Sequence, residues 1–421
     1  MAVFRPFCAV RPAKEHAGAM VSPPYDVVDR AGAARMAEGN PYSFLHICRS
    51  EIDLPEEVGA YEEAVYEKAR ENIERFLEQG VLIQEERPAY YVYRQEAYGR
   101  ARTGLAGCVS VDDYKSGVIK RHEVTLAEKE EDRVRHFQVC SCHTEPVFLA
   151  YHSHAPLEEL LKGWTETHEP EYDVTDAAGV RHLLWPVDLP EIKEKIEAYF
   201  TAMGNLYIAD GHHRCASAAR VGQARRELAA DSNGGEEFNY FMAVCFPEDQ
   251  LDIWDYSRMV KDLAGMTEQE FLEALRQAGF EAGPSQAEPC VPQKRHEFGL
   301  NLGGTWYPLI AREAICPQDD PVKGLDVSIL QDRVLGPLLG ITDPRRDKRI
   351  AFVGGKDSLA RIGKAVGENG KPGDGSMAAA ILLYPVSMSE IMAVADRGAV
   401  MPPKSTWFEP KLGSGLFLHR F

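Results

Sequence analysis

The sequence has no apolar run near the roughly 20 residues that cross a bilayer, and its opening, residues 1–6, meets an arginine and a proline at once. Neither a membrane span nor a secretory leader is therefore expected. Nine cysteines are scattered and odd in number, which is no disulfide framework and points to a reduced, cytoplasmic protein. Basic charge is in deficit: 47 Lys and Arg stand against 65 Asp and Glu, a formal net charge of −18. A nucleic-acid partner needs a basic face, so none is expected, nor is a membrane partner. There is no internal repeat, heptad array or low-complexity tract. The run 352–358 lacks the Gly-x-x-x-x-Gly-Lys-Ser/Thr pattern of a phosphate loop and reads as a tight strand-to-helix turn. Cys140-Ser141-Cys142-His143 has too few spaced ligands for a closed zinc site, and His152-x-His154 reads as a wetted strand edge, so no dedicated metal cage is expected.

What is present is an interleaving of strand-like and helical patterns over 421 residues, too long for one core. The fold class read from it is mixed α/β (α+β). Residues 60–79 predict a surface helix with Tyr61, Val65, Ala69, Ile73 and Phe76 on one stripe. Strands are expected over 89–96, 106–111, 117–120, 147–151 and 238–246, and helices over 126–137, 157–164 and 191–200. Beyond residue 255 the character changes. Thr267 with Glu270 forms a capping box, Gly303-Gly304 suits a hairpin between 298–302 and 306–311, and 349–396 reads as a β-α-β-α succession. The expected domains are 1–100, an N-terminal region packed on the core; 101–255, the core; and 256–421, a C-terminal α/β domain.

The most informative stretch is Asp210-Gly211-His212-His213-Arg214, between a buried strand and a small-residue helix. Asp210 falls at the strand's carboxyl end, where open α/β sheets bind ligands. Gly211 supplies a permissive backbone, and His212, His213 and Arg214 stand over the first-turn N–H groups of a helix, an anion-favouring end. The alternative is an Asp N-cap with two half-buried histidines and a solvated arginine.

Two further constellations accompany it. In 120–125, Thr125 with Glu128 reads as a capping box, while His122 and Glu123 sit on a loop that can aim them into a cleft. Lys129 and Arg133, four apart on one helix face, either meet an anion together or pair with neighbouring acids. In 401–411, three prolines stiffen a loop presenting Lys404, Ser405, Thr406 and Lys411, groups suited to a phosphate or carboxylate; the alternative is an ordinary turn before a closing strand, 416–421.

Pro23 to Asp26, His122 to Thr125, Lys129 with Glu131-Asp132-Arg133, Asp210 to Arg214 and Met401 to Lys411 stand in one order, and together they resemble a bacterial and archaeal family known as a domain of unknown function. Over Asp210 to Arg214 that family is similar to free L-serine kinases built on a ParB/sulfiredoxin-like core. The resemblance implies such a core between an N-terminal extension and a C-terminal α/β domain. It also implies a small-molecule kinase acting on the hydroxyl of serine or a similar alcohol, with a nucleotide or pyrophosphate as donor and Mg²⁺ accompanying it. Asp210 would then be the general base, with His122 and Glu123 also catalytic and Glu123 the counterpart of the kinases' glutamate. Gly211, His212, His213, Arg214, Lys129 and Arg133 would hold phosphate, and Lys404, Ser405, Thr406 and Lys411 a further phosphate or substrate loop. Two other classes stay open: a nucleotide-binding or -hydrolysing regulator of ParB-like type, and a metal-dependent hydrolase using His122, His212 and His213. The sequence leaves the oligomeric state open.

Overall fold

Leu206, Tyr207, Ile208 and Ala209 are all buried, which is why the segment before Asp210 runs as an interior strand with both faces covered. The computed structural model describes residues 1–229 and 233–421. The chain divides into two units: Met1–Leu251 together with Pro410–Phe421, and Asp252–Glu409.

The first unit is built on a nine-stranded mixed sheet. Its strands are β1 (Phe4–Arg5), β2 (Tyr90–Ala97), β3 (Arg100–Ser110), β4 (Ile119–Lys120), β5 (Val147–Tyr151), β6 (Tyr172–Thr175), β7 (Arg181–Val187), β8 (Leu206–Asp210) and β9 (Tyr240–Pro247). They lie in the order β4-β8-β5-β9-β3-β2-β7-β6, with β1 on β3. β8 is parallel to β4 and antiparallel to β5, and β9 is parallel to β5. The β2–β3 hairpin runs across residue 100 through Tyr98 and Gly99, at φ 54° and 74°, the left-handed pair that a two-residue hairpin turn requires. Of the expected strand over 117–120, only Ile119–Lys120 pairs; the residues before it end a short helix, Val111–Ser116, at Gly117.

Five helices matter to the site: α1 (Glu63–Glu78), α2 (Ala127–Cys140), α3 (Ala155–Thr167), α4 (Pro190–Met203) and α5 (His212–Leu228). α1 buries the expected stripe of Val65, Ala69, Ile73 and Phe76. Tyr61 precedes the helix and is exposed. α5 approaches its neighbours closely because its buried positions are small: Cys215, Ala216, Ser217, Ala218 and Gly222. A side chain at 222 would put its Cβ 2.6 Å from the Phe238 carbonyl, and Ser217 Oγ donates to the Glu130 carbonyl of α2 at 2.9 Å. The core of this unit is aromatic at one end, where Phe4 stacks on Phe200 and Tyr90 with ring centroids 4.0 and 5.2 Å apart.

The second unit carries a six-stranded sheet in the order Phe280–Ala282, Thr305–Ala311, Glu297–Leu302, Ala379–Leu383, Tyr256–Val260 and Ile350–Gly354, every pair antiparallel. The Thr267–Glu270 capping box is formed, and Gly303 and Gly304 turn the hairpin with φ of 54° and 93°. The tail does not stay with this unit: residues 410–421 return to the first, where His419–Arg420 pairs with Cys142–His143 and Leu418 with Val10. The closing strand expected over 416–421 is thus two residues long. Among the described residues no helix is long and apolar enough to cross a membrane.

Phe4 reaches the core from a strand of only two residues, so its ring contributes far more than its backbone. Phe4→Ala should destabilise the first unit by about 3–5 kcal/mol, the usual cost of deleting a buried aromatic. Urea unfolding read by tryptophan fluorescence checks this, and an unchanged midpoint would show that the stacked trio is dispensable.

Candidate functional site

The register of β8 against β5 shifts between Ile208 and Asp210, and a bulge of this kind re-aims the side chain beside it. Asp210 ends the strand, Gly211 turns the chain at φ 98°, and α5 starts at His212. Gly211 is the N-cap, with no side-chain cap hydrogen bond to α5. The Asp N-cap alternative therefore fails, because Asp210 is engaged elsewhere. Arg214 folds back over Gly211 so closely that a Cβ there would lie 2.9 Å from its Nε. The guanidinium is buried, donates through Nη1 to the Pro146 carbonyl, and meets Asp210 Oδ2 through Nη2 at 3.0 Å. It is not the solvated arginine of that alternative.

The second Asp210 oxygen, Oδ1, faces Lys411 Nζ at 3.7 Å. Burial alone would raise the Asp210 carboxyl, but Lys411 and Arg214 outweigh it and hold it at about 2. Lys411 is set by the strand beneath it: Gln95 Nε2 donates to the Lys411 carbonyl at 2.8 Å, and the Gly413 N–H donates to Tyr93 Oη at 3.1 Å.

The two histidines of the motif tie down the 122–126 loop. His212 Nε2 accepts the His122 N–H at 3.4 Å, and His213 Nε2 accepts the Leu126 N–H at 3.0 Å. An accepting nitrogen carries no proton, so each ring is the neutral tautomer protonated at Nδ1. His212 Nδ1 then faces Glu123 Oε2 at 3.9 Å. Burial keeps His212 neutral, with a pKa of about 3 despite the Asp210 charge. His122 is likewise pushed down to about 3, by burial and by His212, whose ring it meets edge-on with centroids 4.4 Å apart. Glu123 is one-third exposed, whereas His122 is fully buried. The loop thus aims Glu123 outward and seals His122 in.

Other expectations need correction. Thr125 does not cap α2: the N-cap is Leu126, without a side-chain bond, and Thr125 Oγ1 donates to Glu130 Oε2 at 2.8 Å. The hydrolase site of His122, His212 and His213 does not assemble, since the Nε2 lone pairs of the latter two are spent on backbone N–H groups. Among the described residues no three His, Cys, Asp or Glu side chains converge to hold a metal. Lys129 is exposed, but Arg133 is buried, bonded to Asp132 Oδ2 at 2.9 Å through Nε, with its guanidinium 3.9 Å over the Tyr25 ring.

The residues of 401–411 part company. Lys404, Ser405 and Thr406 belong to the second unit and Lys411 to the first. Within the second unit Lys404 lies at φ 57° with Nζ 5.7 Å from the Tyr256 ring, and buried Ser405 donates to the Pro402 carbonyl at 2.6 Å.

Sequence reasoning assigned no role to Glu145, which the fold brings to this site. Its Oε1 accepts the Tyr25 N–H at 2.9 Å and Ser414 Oγ at 2.8 Å. Burial raises its carboxyl, with Arg214 and Arg133 pulling the other way. Pro23 to Asp26 was visible as a motif; Glu145 stands in none, and no local pattern could have found it. Alongside the 121–125 loop, between α2 and α5, runs a groove of about 530 Å³ lined by Arg121, Thr125, Glu130, Ala216 and Arg220.

These features define a mixed α/β protein with a carboxylate held between two cations at a strand-to-helix turn. The chain belongs to the DUF1015 family, described as a protein of unknown function, whose model matches residues 4–328. No curated protein matches it. Among solved structures it is similar to SbnI with a C-terminal truncation from Staphylococcus aureus, at 12% identity over 73% of this chain and 84% of that one, TM-score 0.36. A free serine kinase in complex with AMP is similar at 15% identity over 72% and 86%, TM-score 0.33. A conserved hypothetical protein from Pyrococcus furiosus is similar at 14% identity over 73% and 94%, TM-score 0.32.

The suppressed histidines make a pH prediction with a definite sign. The ordinary imidazole value is 6.5, and His122 and His212 are held at about 3. As pH falls from 6.5 towards 3 the unfolded chain takes up protons that the folded one refuses, so stability falls across that window. Asp210, ordinarily 3.8 and held at about 2, adds a further loss as pH falls between those values. His212→Gln, whose amide oxygen can still accept the His122 N–H, should flatten the decline between pH 7 and pH 5. Urea midpoints across this range decide it, and an equally steep decline in the variant would count against buried neutral imidazoles.

Proposed function

We propose that this protein is a phosphotransferase that passes a phosphoryl group from a nucleotide or pyrophosphate to the hydroxyl of free L-serine or a similar small alcohol. The observation that carries the reading is the convergence of Asp210, Arg214 and Lys411 at the start of α5, with Glu123 standing beside them on His212. Phosphoryl transfer asks a protein mainly for positioning and for charge on the equatorial oxygens. Lys411 and the first-turn N–H groups of α5 are the phosphate ligands. Asp210 orients both cations, and an incoming phosphate competes with it for Lys411. Gly211, lacking a Cβ, leaves the room in which the Arg214 guanidinium folds back onto Asp210.

Asp210 and Glu123 divide the work by their environments. A carboxylate held at about 2 by two cations is a weak base, and efficient general bases titrate nearer the working pH. Glu123, one-third exposed on its loop and turned towards the His212 Nδ1–H, is the base that accepts the acceptor's hydroxyl proton. His212 orients it, and His213, through Leu126, fixes the loop it rides on. A groove of about 530 Å³ falls within the roughly 300–1,000 Å³ of small-molecule sites and suits the nucleoside half of a donor. Magnesium accompanying the nucleotide would neutralise phosphate charge. The exposed Asp26, whose charge acts on His213 and Arg214, fits it as an oxygen ligand, whereas both Asp210 oxygens already answer a cation. The solved free serine kinase is a complex with AMP, a ligand of the same class.

The test is a screen of ATP, ADP and pyrophosphate against serine, threonine, homoserine and small alcohols, followed by phosphorus NMR. One donor–acceptor pair should yield a phosphomonoester. Glu123→Gln should lower turnover by about 10²-fold or more, and Lys411→Ala should weaken donor binding more than acceptor binding. Nucleotide hydrolysis indifferent to every acceptor would make the protein a nucleotide-dependent regulator instead.

A further inference from the structure

The strand Tyr256–Val260 of the second unit carries a guanidinium whose charge no acid answers. Arg258 is 3% exposed, and its donors reach only neutral acceptors: Nη1 the Tyr256 carbonyl, and Nη2 the Pro403 carbonyl at 3.3 Å. The guanidinium stands 5.2 Å from the centre of the Phe352 ring. Among the described residues no carboxylate pairs with it, and burial pulls it down to about 10 with Tyr256 alone opposing. Arg133 and Arg214, buried to a similar degree, each hold an aspartate. The acid nearest to Arg258 in sequence, Asp255, accepts from Ser257 Oγ at 2.8 Å. Successive side chains of a strand face opposite ways, so Asp255 serves the other face. A buried charge is costly unless an opposite one meets it.

The loop packed on this strand adds a second charge of the same sign. Pro403, whose carbonyl takes Arg258 Nη2, precedes Lys404, which is exposed and carries its Nζ 5.7 Å from the Tyr256 ring. No carboxylate among the described residues pairs with Lys404 either. The N–H groups of Lys404, Ser405 and Thr406 bond none of the described residues, although Ser405 is only 4% exposed. Backbone donors of buried residues are rarely left over. Lys404 itself holds φ 57°, a left-handed backbone that costs a non-glycine residue energy and recurs at ligand clamps. Two cations and three free donors at one turn, with no acid among them, call for an anion. A carboxylate would cancel one of the two charges, whereas a phosphate-class dianion cancels both.

We propose that the 401–406 loop of the second unit is a binding site for a phosphate-class dianion, received by Lys404 Nζ and the free N–H groups of its turn. Arg258 acts from beneath, through its charge and through its hold on the Pro403 carbonyl. The site goes beyond the phosphotransfer reading and does not rest on it.

The experiment is isothermal titration of the full chain carrying Lys411→Ala, which disables the Asp210 centre, with inorganic pyrophosphate. Tryptophan fluorescence is followed alongside, because Trp407 stands edge-on to Tyr256 with ring centroids 5.1 Å apart. One equivalent of pyrophosphate should bind saturably and change the fluorescence, with acetate at least 10-fold weaker. Adding Lys404→Gln, at an exposed position, should weaken pyrophosphate at least 10-fold while the melting temperature stays put. Arg258→Met separates field from scaffold: a mere brace would lose melting temperature and keep affinity, whereas an affinity at least 10-fold weaker is expected here. AMP binding as tightly as pyrophosphate identifies a nucleotide's phosphate as the ligand, and pyrophosphate binding alone identifies a free one. The proposal is overturned if the Lys411→Ala protein shows no saturable pyrophosphate binding, which would leave the Asp210 centre as the place where pyrophosphate binds. It is equally overturned if acetate binds as tightly, or if Lys404→Gln or Arg258→Met keeps full affinity. Should the phosphotransfer reading alone fail, the Lys411→Ala protein and the wild type will bind pyrophosphate alike and this site stands.

Discussion

The ion pair between Arg214 and Asp210 is the constraint on which the first unit's architecture turns. A guanidinium this deeply buried is tolerated only if charge and hydrogen bonds meet it, and Asp210 Oδ2, the Pro146 carbonyl and the nearby Glu145 charge do so. The pair needs a bulged strand end, a glycine at φ 98° and a helix starting at the next residue. It also leaves one Asp210 oxygen for Lys411, which lies 201 positions further along the chain. The tail must therefore come back to the first unit, and the 252–409 unit is an insertion between the core and its own last residues.

That return is secured in the interior. Tyr93 Oη, which accepts the Gly413 N–H, meets His182 Nδ1 at 2.6 Å, and His182 Nε2 meets Asp176 Oδ2 at 3.1 Å. A Cβ at 413 would fall 2.9 Å from the His182 ring, so the tail passes this point only as glycine. Ser414, the next residue, reaches Glu145. Two neighbouring tail residues are thus read by two buried acceptors, Tyr93 and Glu145, and Lys411 is delivered to Asp210 with little freedom left in its backbone.

The histidines show how the same residue types serve different ends. In isolation an adjacent pair beside an arginine suggests cations for a phosphate. Once buried, His212 loses that option because desolvation outweighs the Asp210 charge, and it becomes a hydrogen-bonding strut for the loop that carries Glu123. Adjacent helical residues diverge by about 100°, yet both act on one loop because the loop wraps the helix end, giving one imidazole its His122 N–H and the other its Leu126 N–H.

Much of this was legible in the chain itself. Periodicity and turn chemistry are local, so the α1 stripe, the Gly303-Gly304 hairpin, the Thr267 capping box and the strand–glycine–helix order around Asp210 could be read from neighbouring residues. Where two local patterns competed, the reading failed: Thr125 fits a capping box with Glu128, but its hydroxyl turns to Glu130 and the helix begins one residue later than that box requires. Tertiary structure alone decided that Arg133 is buried while Lys129, one turn away, is exposed, and that Lys404 and Lys411 fall in different units. It alone brought in Glu145, which carries no motif. The physical reason is the range of the forces concerned: helix and turn preferences act over a few residues, whereas burial and charge pairing depend on which distant segments pack together. The sequence by itself determined which groups the molecule would have to compensate, and the fold decided which partners would do so.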